Sequence, residues 1–335
     1  IDSTSDWAEL IRMVDTLVYG TVGGRVRAIG SFDERPAIVL EMLALSAGEF
    51  EQSPVDREVA HQAIDALWDR ARTRQERSIA FRMRLASLVG TGRAASAAAL
   101  VRQGRRWGVT RQDLDQWILL TAVTGVASLG DSASQVAAAR RLMEDEEEDG
   151  VSLWLAARWY RDRDSRAATE AAVRLGDRIE RAEFPSPLEL SLRDDLEAMD
   201  ALEAGDTLRA VGVWQQATQR YSLEQVTFGL LGSLWPLHLQ RVRLAAAMGD
   251  HDEALAATAS FEHMAGFVDQ VAWMDIWPLR ARALRATGDP LAASSVYREL
   301  RRIVRRADGP PVALQDSVER WLEEIHGSRA PADSS

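Results

Sequence analysis

One six-residue phrase, Gly-Asp-x-x-x-Ala, recurs in this sequence and restricts the folds open to it. It stands as Gly205-Asp206-Thr207-Leu208-Arg209-Ala210, as Gly249-Asp250-His251-Asp252-Glu253-Ala254 and as Gly288-Asp289-Pro290-Leu291-Ala292-Ala293. Each copy follows an apolar segment of helical period and opens another, which is the pattern of a helix hairpin. The glycine takes the left-handed conformation that ends the first helix. The aspartate accepts the orphan amides that begin the second, and the small alanine lets the two helices approach closely. Weaker copies lie upstream: Gly92-Arg93 with Ala97, Gly130-Asp131, and Arg163-Asp164 with Ala168. The intervals are 38 (92 to 130), 33 (130 to 163), 42 (163 to 205), 44 (205 to 249) and 39 (249 to 288) residues. Self-similarity at such a period is the signature of a repeat array.

The segments between these turns carry apolar residues at three- and four-residue steps, as in Leu114, Trp117, Ile118 and Thr121, or in Trp273, Trp277 and Leu284. The periodicity predicts helices over 5–19, 35–47, 55–72, 76–90, 94–106, 111–128, 132–147 and 151–161. It predicts more over 165–182, 187–204, 207–220, 225–248, 251–264, 269–287, 290–306 and 311–325. Asp33 and Ser53-Pro54 read as helix starts and Gly48, Gly249 and Gly288 as ends, while Pro185-Ser186-Pro187 reads as a helix start or as a bend between units. Strand-like alternation is nearly absent, and residues 20–32, broken by glycines, read as a loop or an irregular hairpin. The expectation is an all-α chain forming a single helical-repeat domain over 1–326. Within it, 1–74 hold divergent N-terminal helices, 75–306 the repeats and 307–326 a capping helix; 327–335 read as a frayed tail.

Composition narrows the function classes. A hydrophobic content of 46% suffices for a core, and 27% charged residues keep the surface hydrated. No apolar run approaches the roughly 20 residues needed to span a bilayer and no signal peptide is visible, so the expected location is the cytoplasm. The sequence starts with Ile1 and not with Met, so the expectation is an N-terminal portion either trimmed or missing, which weakens any inference about export. Cysteine is absent, which excludes thiol chemistry. All 40 basic residues are arginine, because the chain has no lysine, and it has no asparagine either; we read both absences as the codon bias of a GC-rich genome. A net charge of −11 disfavours non-specific contact with nucleic acid or an anionic membrane.

With these features the sequence resembles the tetratricopeptide-repeat (TPR) solenoids. In that family an Ala-rich first helix ends in Gly-Asp, and the second helix carries Ala followed four residues later by an aromatic. Ala210/Trp214 and Ala293/Tyr297 match this step, while Ala254 is followed by Thr258, with Phe261 one turn on. The match covers roughly 75–306 and is specific over 190–306. The periods here exceed the family's, and its Trp-Leu-Gly-Tyr signature is missing. The resemblance implies a right-handed α-solenoid of about seven to eight antiparallel helix pairs, like the TPR arms of bacterial regulators and signalling proteins. It implies a non-catalytic scaffold for a protein or peptide, the recognition or regulatory arm of a larger bacterial protein, with no cofactor. A second reading is a small-molecule sensor whose closed superhelix encloses a pocket. The stretch Ala293–Arg301, followed by Asp308-Gly309-Pro310-Pro311, also resembles bacterial transcriptional activation domains.

Groove-facing positions in the TPR pattern lie ten, six and three residues before the turn glycine. Counting back from Gly288, Gly249 and Gly92 places Arg282, Arg285, Arg243 and Arg82 on the concave wall, with Trp235 and Trp273 near its rim. These six are the expected binding residues. Their forked hydrogen bonds suit an anionic peptide or carboxylate; the competing reading is that the arginines pair with acids of neighbouring repeats.

No catalytic constellation emerges. His61, His238, His251, His263 and His326 form no metal-binding pair, and no phosphate loop or nucleophile elbow occurs. The all-α terpene cyclases need an Asp-Asp-x-x-Asp run, but Asp194-Asp195-Leu196-Glu197-Ala198 ends in Ala, and the family's Asn-bearing motif cannot exist here. The acidic run Glu144–Asp149 reads as a solvated helix end, where the macrodipole disfavours it. Residues 280–308 hold eight Arg against Asp289, Glu299 and Asp308, a balance of +5. That face reads as solvated, its stems covering apolar neighbours, and no nucleic acid is expected to bind this chain alone.

Overall fold

The computed structural model describes residues 62, 64–144, 149–220, 230–231, 234–263, 271–305, 307–308 and 312–327. The expected helices 5–19 and 35–47, the segment 20–32, the caps at Asp33, Gly48 and Ser53-Pro54 and the residues past 327 lie outside these. Within them the fold is all-α, without a strand, and residues 64–70 are helical. From residue 74 on, consecutive helices pack as pairs: α1 (Arg74–Gly90) with α2 (Ala94–Gln103), α3 (Arg111–Thr124) with α4 (Ser132–Glu144), and α5 (Gly150–Tyr160) with α6 (Ser165–Arg181). The row continues with α7 (Pro187–Glu203) and α8 (Thr207–Arg220), α9 (Trp235–Met248) and α10 (His251–His263), then α11 (Trp273–Ala286) and α12 (Pro290–Val304). A last helix, α13 (Val312–Gly327), packs on α12. First helices also meet first helices, α3 with α5, α5 with α7 and α9 with α11, so the pairs stack.

The Gly-Asp turns have the conformation their residues demand. Gly205, Gly249 and Gly288 have φ of 79°, 74° and 88°. At each, the amide of the following Asp donates to a carbonyl five residues back, as in Asp250 N to Ala245 O at 2.9 Å, which closes a Schellman motif. The same Asp then caps the next helix: Asp206 accepts from the Arg209 amide at 3.1 Å, Asp250 from Glu253 at 3.0 Å and Asp289 from Ala292 at 2.9 Å. Ala210, Ala254 and Ala293 have no exposed surface, as expected where helices close on each other.

The weaker copies divide the same tasks differently. Gly92 has φ 71° and the same pair of closing bonds, but Arg93 offers no side-chain cap to α2. In the α3/α4 pair the left-handed glycine is Gly125 (φ 72°), so α3 ends there and not at 128, while Asp131 still caps Ser134 at 2.8 Å. Asp164 caps α6 without a glycine before it. Of the expected helix 225–248, residues 225–229 and 232–233 lie outside the described ones; Leu230 and Leu231 form a turn, Leu234 has φ 54°, and α9 begins at Trp235, with Pro236 suited to its first turn. Asp149, read with the acidic run as part of a helix end, instead caps the start of α5, accepting from the Ser152 amide at 3.1 Å. There the macrodipole favours it.

Polar pegs tie hairpin to hairpin. Asp195 is buried on α7 and accepts from the Trp154 indole (2.8 Å) and the Arg158 guanidinium (3.0 Å) of α5, and from the Trp214 indole of α8 (2.8 Å). Three donors thus hold one carboxylate among three helices, which meets the requirement that a buried charge be paired and hydrogen-bonded. Its neighbour Asp194 pairs with Arg220 at 2.6 Å. Further along, Arg241 donates to Thr218 at 3.1 Å and Arg280 to Thr258 at 3.0 Å, each from a first helix to the second helix of the preceding pair. Asp115, also buried, receives Arg141 at 2.7 Å through both oxygens.

The row of hairpins returns to its start. The Asp308 carboxylate accepts from the amides of Ala95 (3.2 Å) and Ser96 (2.8 Å) and from the Ser96 hydroxyl, and so caps α2 in place of the aspartate missing at Arg93. A Cβ on Gly92 would lie 3.1 Å from the Ala307 Cβ and 3.4 Å from Met274 of α11. Nearer the middle, Arg243 of α9 donates to the Thr124 carbonyl that ends α3, at 2.6 Å.

Candidate functional site

A cavity of about 210 Å³ opens between the middle of α1, the starts of α3, α5 and α7, and the turn ahead of α9. Its wall comprises Arg82 from α1, Asp113, Gln116 and Trp117 from α3, Asp149 and Val151 at the start of α5, Leu188 of α7, and Leu230 with Leu231 ahead of α9. Local sequence sets these residues in place. The Thr110 hydroxyl accepts the Asp113 amide at 2.9 Å, which begins α3 and fixes Asp113 in its first turn. Pro187 at the first turn of α7 places Leu188 beside it. Gln116 ties α3 to α5, donating to Asp149 Oδ2 at 2.7 Å and to the Ser152 hydroxyl at 3.1 Å. Gly150 lets α7 lie close, since a Cβ there would meet the Glu189 carboxylate at 2.6 Å.

Three polar groups in this wall have capacity left. Among the described residues the half-buried Asp113 carboxylate has no ion pair and no hydrogen bond. Trp117 is 1% exposed and its indole N–H, also buried, has no acceptor. Asp149 spends Oδ2 on Gln116 and Ser152, which leaves Oδ1. A buried donor without a partner costs about 1–3 kcal/mol; the Trp117 nitrogen is closed off within the core, and the carboxylates of Asp113 and Asp149 are the acceptors of this wall. Among the described residues, Val151, Leu188, Leu230 and Leu231 add apolar surface to the wall.

The six residues expected from the repeat pattern do not share this site. Arg82 alone lines the cavity. Arg243 pairs with Asp275 at 2.7 Å as well as with the Thr124 carbonyl. Arg285 pairs with Glu324 of α13 at 2.6 Å, and Arg282 is exposed on the same helix, its charge felt by Tyr297. Trp235 has no exposed surface and Trp273 only 3%, so both are core residues and offer no rim. Starts of first helices are buried here because the neighbouring pair covers them. The Arg-rich helix α12 is likewise engaged: Arg301 meets Glu319 at 2.7 Å, with Arg305 at 3.5 Å from the same oxygen, and Arg302 meets Glu299 at 2.7 Å. The cavity's own residues carried a signal in the sequence, the Thr110-x-x-Asp113 and Asp149-x-x-Ser152 caps that mark where first helices begin.

Two buried titratable groups lie elsewhere. Burial, and secondarily the Arg241 charge, pushes His238 down to about 3, so this ring is neutral in its contact with Phe261. Tyr297, buried against Trp321 with ring centroids 4.7 Å apart, is pushed up to about 12 by burial, and its hydroxyl finds no partner.

A second hollow, more open and of about 410 Å³, lies between α5, α6 and α7. Ala157, Ala168, Ala172 and Leu196 form its floor, and Arg161, bound to Asp200 and Glu203, forms one wall. Among the described residues no helix is long and apolar enough to cross a membrane, and no three acids or histidines are grouped to hold a metal ion. Comparison with known proteins finds no family model, no curated protein and no solved structure that matches this chain.

Proposed function

We propose that this chain is the non-catalytic sensing arm of a larger bacterial regulatory protein, working in the cytoplasm as a right-handed, TPR-like superhelix of about seven to eight helix pairs. It holds a small ligand in the cavity between its first helices, and ligand occupancy controls what is attached to it. The observation that carries this reading is the cavity itself, lined by Arg82 and by the Asp113 carboxylate, which has no ion pair or hydrogen bond among the described residues. The cavity is smaller than the 300–1,000 Å³ usual for drug-sized ligands, so the ligand is small. Because the cavity draws on α1, α3, α5 and α7, a ligand there touches several hairpins at once and can bias their stacking.

The second reading is a scaffold for a protein or peptide. The hollow between α5 and α7 favours it, since its alanine floor admits a helix and Asp200 and Glu203 stand exposed at its edge. An acidic edge selects a basic segment, in contrast to the anionic partner that an arginine wall would take.

Equilibrium dialysis of the 335-residue chain against a pool of small metabolites, read by mass spectrometry, tests the sensing reading. The expected result is one or a few retained solutes, lost in the folded Asp113→Asn and Arg82→Gln variants. A chain that retains no solute contradicts it and leaves the scaffold reading, for which Ala168→Arg should abolish partner binding.

A further inference from the structure

We infer that the end of the first hairpin opposite its Gly92 turn is a docking surface for an acidic segment of a partner protein, independent of the cavity. Charge is spread unevenly along this chain. Residues 64–113 hold eleven arginines against Asp65, Asp69, Glu76 and Asp113, a balance of +7 in a chain of −11. The remainder therefore carries −18.

Six of these arginines are exposed at that end. Arg72 and Arg74 stand at the start of α1, Arg102 in the last turn of α2, Arg105 and Arg106 in the short 3-10 turn Gly104–Trp107, and Arg111 at the first position of α3. Their guanidinium groups have no ion pair and no hydrogen bond among the described residues. Packing fixes the turn that carries the middle pair. A Cβ on Gly104 would lie 2.6 Å from Leu114 of α3 and 3.1 Å from Phe81 of α1, so three elements meet there. Trp107 packs on Trp68 with ring centroids 3.9 Å apart, and Gly108 reverses the chain at φ 79°. Of the four acids, Glu76 accepts the Arg72 and Thr73 amides at 2.8 and 3.0 Å, Asp65 lies 3.8 Å from Arg84, and Asp113 lines the cavity, which leaves Asp69. Helix energetics account for part of this placement only. The macrodipole favours Arg102 at the end of α2 but disfavours Arg74 and Arg111, each the first residue of its helix.

An acidic polypeptide fits this surface in chemistry and in length. Guanidinium forks take carboxylates through paired hydrogen bonds. Helix axes about 8–10 Å apart put the ends of α1, α2 and α3 across about 20 Å, and six extended residues at about 3.4 Å each span the same. A nucleic acid also offers anions, but it runs on past such a patch as a long polyanion, and the −18 on the remainder of the chain repels it there.

Fluorescence anisotropy of a labelled hexaglutamate peptide, titrated with the full chain, tests the assignment. The expected result is saturable binding that weakens several-fold as salt rises from about 50 to about 150 mM. Changing both Arg105→Gln and Arg106→Gln should weaken it about tenfold, with circular dichroism and melting temperature unchanged, because neither side chain has a partner to lose. The charge-matched pair Arg301→Gln and Arg302→Gln on α12, where both arginines are engaged, should leave binding as it was. Should the first pair disturb the fold, Arg102→Gln with Arg111→Gln gives the same reading from two other elements. No binding at the lower salt, or equal loss in the two charge-matched variants, would overturn the assignment. So would tighter binding of a six-nucleotide single-stranded DNA through the same arginines, which marks a nucleic-acid surface. Sedimentation that shows the chain alone associating through Arg105 and Arg106 would overturn it in favour of a second copy.

Discussion

Asp308 caps the helix that begins beside Ser96, 212 residues earlier in the chain. The local reason is a substitution: the repeat phrase has Arg93 where its other copies carry the capping aspartate. The carboxylate is supplied from the far end, and what would be a local cap becomes a clasp. Burial works against the charge of Asp308, but the Ser96 hydroxyl and amide, the Ala95 amide and the Arg93 charge outweigh it and hold its pKa below the ordinary value. A depressed carboxyl stabilises the fold above its unfolded pKa, near 3.9, and that stabilisation is lost as pH falls through the folded value. At neutral pH, Asp308→Ala should cost about 1 kcal/mol, the worth of an exposed cap after solvent screening. Urea unfolding at pH 7 measures it.

Two glycines should respond to alanine with opposite signs. Gly249 has room for a Cβ but a φ of 74°, so only its conformation resists substitution. Gly249→Ala should destabilise by about 1–2 kcal/mol. Gly212 lies in the middle of α8, exposed and with space for a Cβ. Gly212→Ala should stabilise by about 0.5–1 kcal/mol. Thermal denaturation of the two variants beside the parent gives both signs in one experiment.

The Asp195 cluster is the costliest polar site to break. Asp195→Ala leaves Arg158 and two indole donors buried and unmatched, which should cost about 3–5 kcal/mol. Tyr297→Phe makes the opposite case. Its hydroxyl is buried without a partner, so removing it should change stability by less than about 0.5 kcal/mol or raise it. Chemical denaturation of these variants distinguishes a satisfied buried group from an orphaned one.

His238 makes stability depend on pH. Its folded pKa of about 3 lies below the unfolded 6.5, so between these values the unfolded chain binds the extra proton. Stability therefore falls as pH drops below 6.5, by up to about 1.4 kcal/mol per unit. His238→Gln, which cannot titrate, should flatten this slope between pH 6.5 and 5, as measured by unfolding at each pH.

The sequence made the hairpins legible wherever turn chemistry was complete. Gly205, Gly249 and Gly288 end helices and their aspartates cap the next, because both effects act within a few residues. Legibility faded where the tasks were split, as at Gly125 and Asp131, or where tertiary packing overrode periodicity, as at the turn that delays α9 to Trp235. The site was harder still. Counting back from turn glycines assumes an open groove, but a row of hairpins that meets itself places Arg243 against Thr124 and buries Trp235. The cavity gathers residues from four hairpins and the turn before α9, and no local pattern announces such a meeting. Of its two caps, Asp149 was hidden in an acidic run that reads as a helix end, and Thr110 marks only the start of one helix.

The closing of the chain upon itself underlies the proposed sensing role, and one measurement addresses it directly. The sequence has no cysteine, so a Ser96→Cys, Asp308→Cys pair would be the only thiols present. Mild oxidation of the dilute double variant should give an intramolecular disulfide in most molecules, detected as a faster-migrating band and the loss of two free thiols, with an unchanged circular dichroism spectrum. Molecules that keep both thiols free, or that link only to a second chain, would contradict the account.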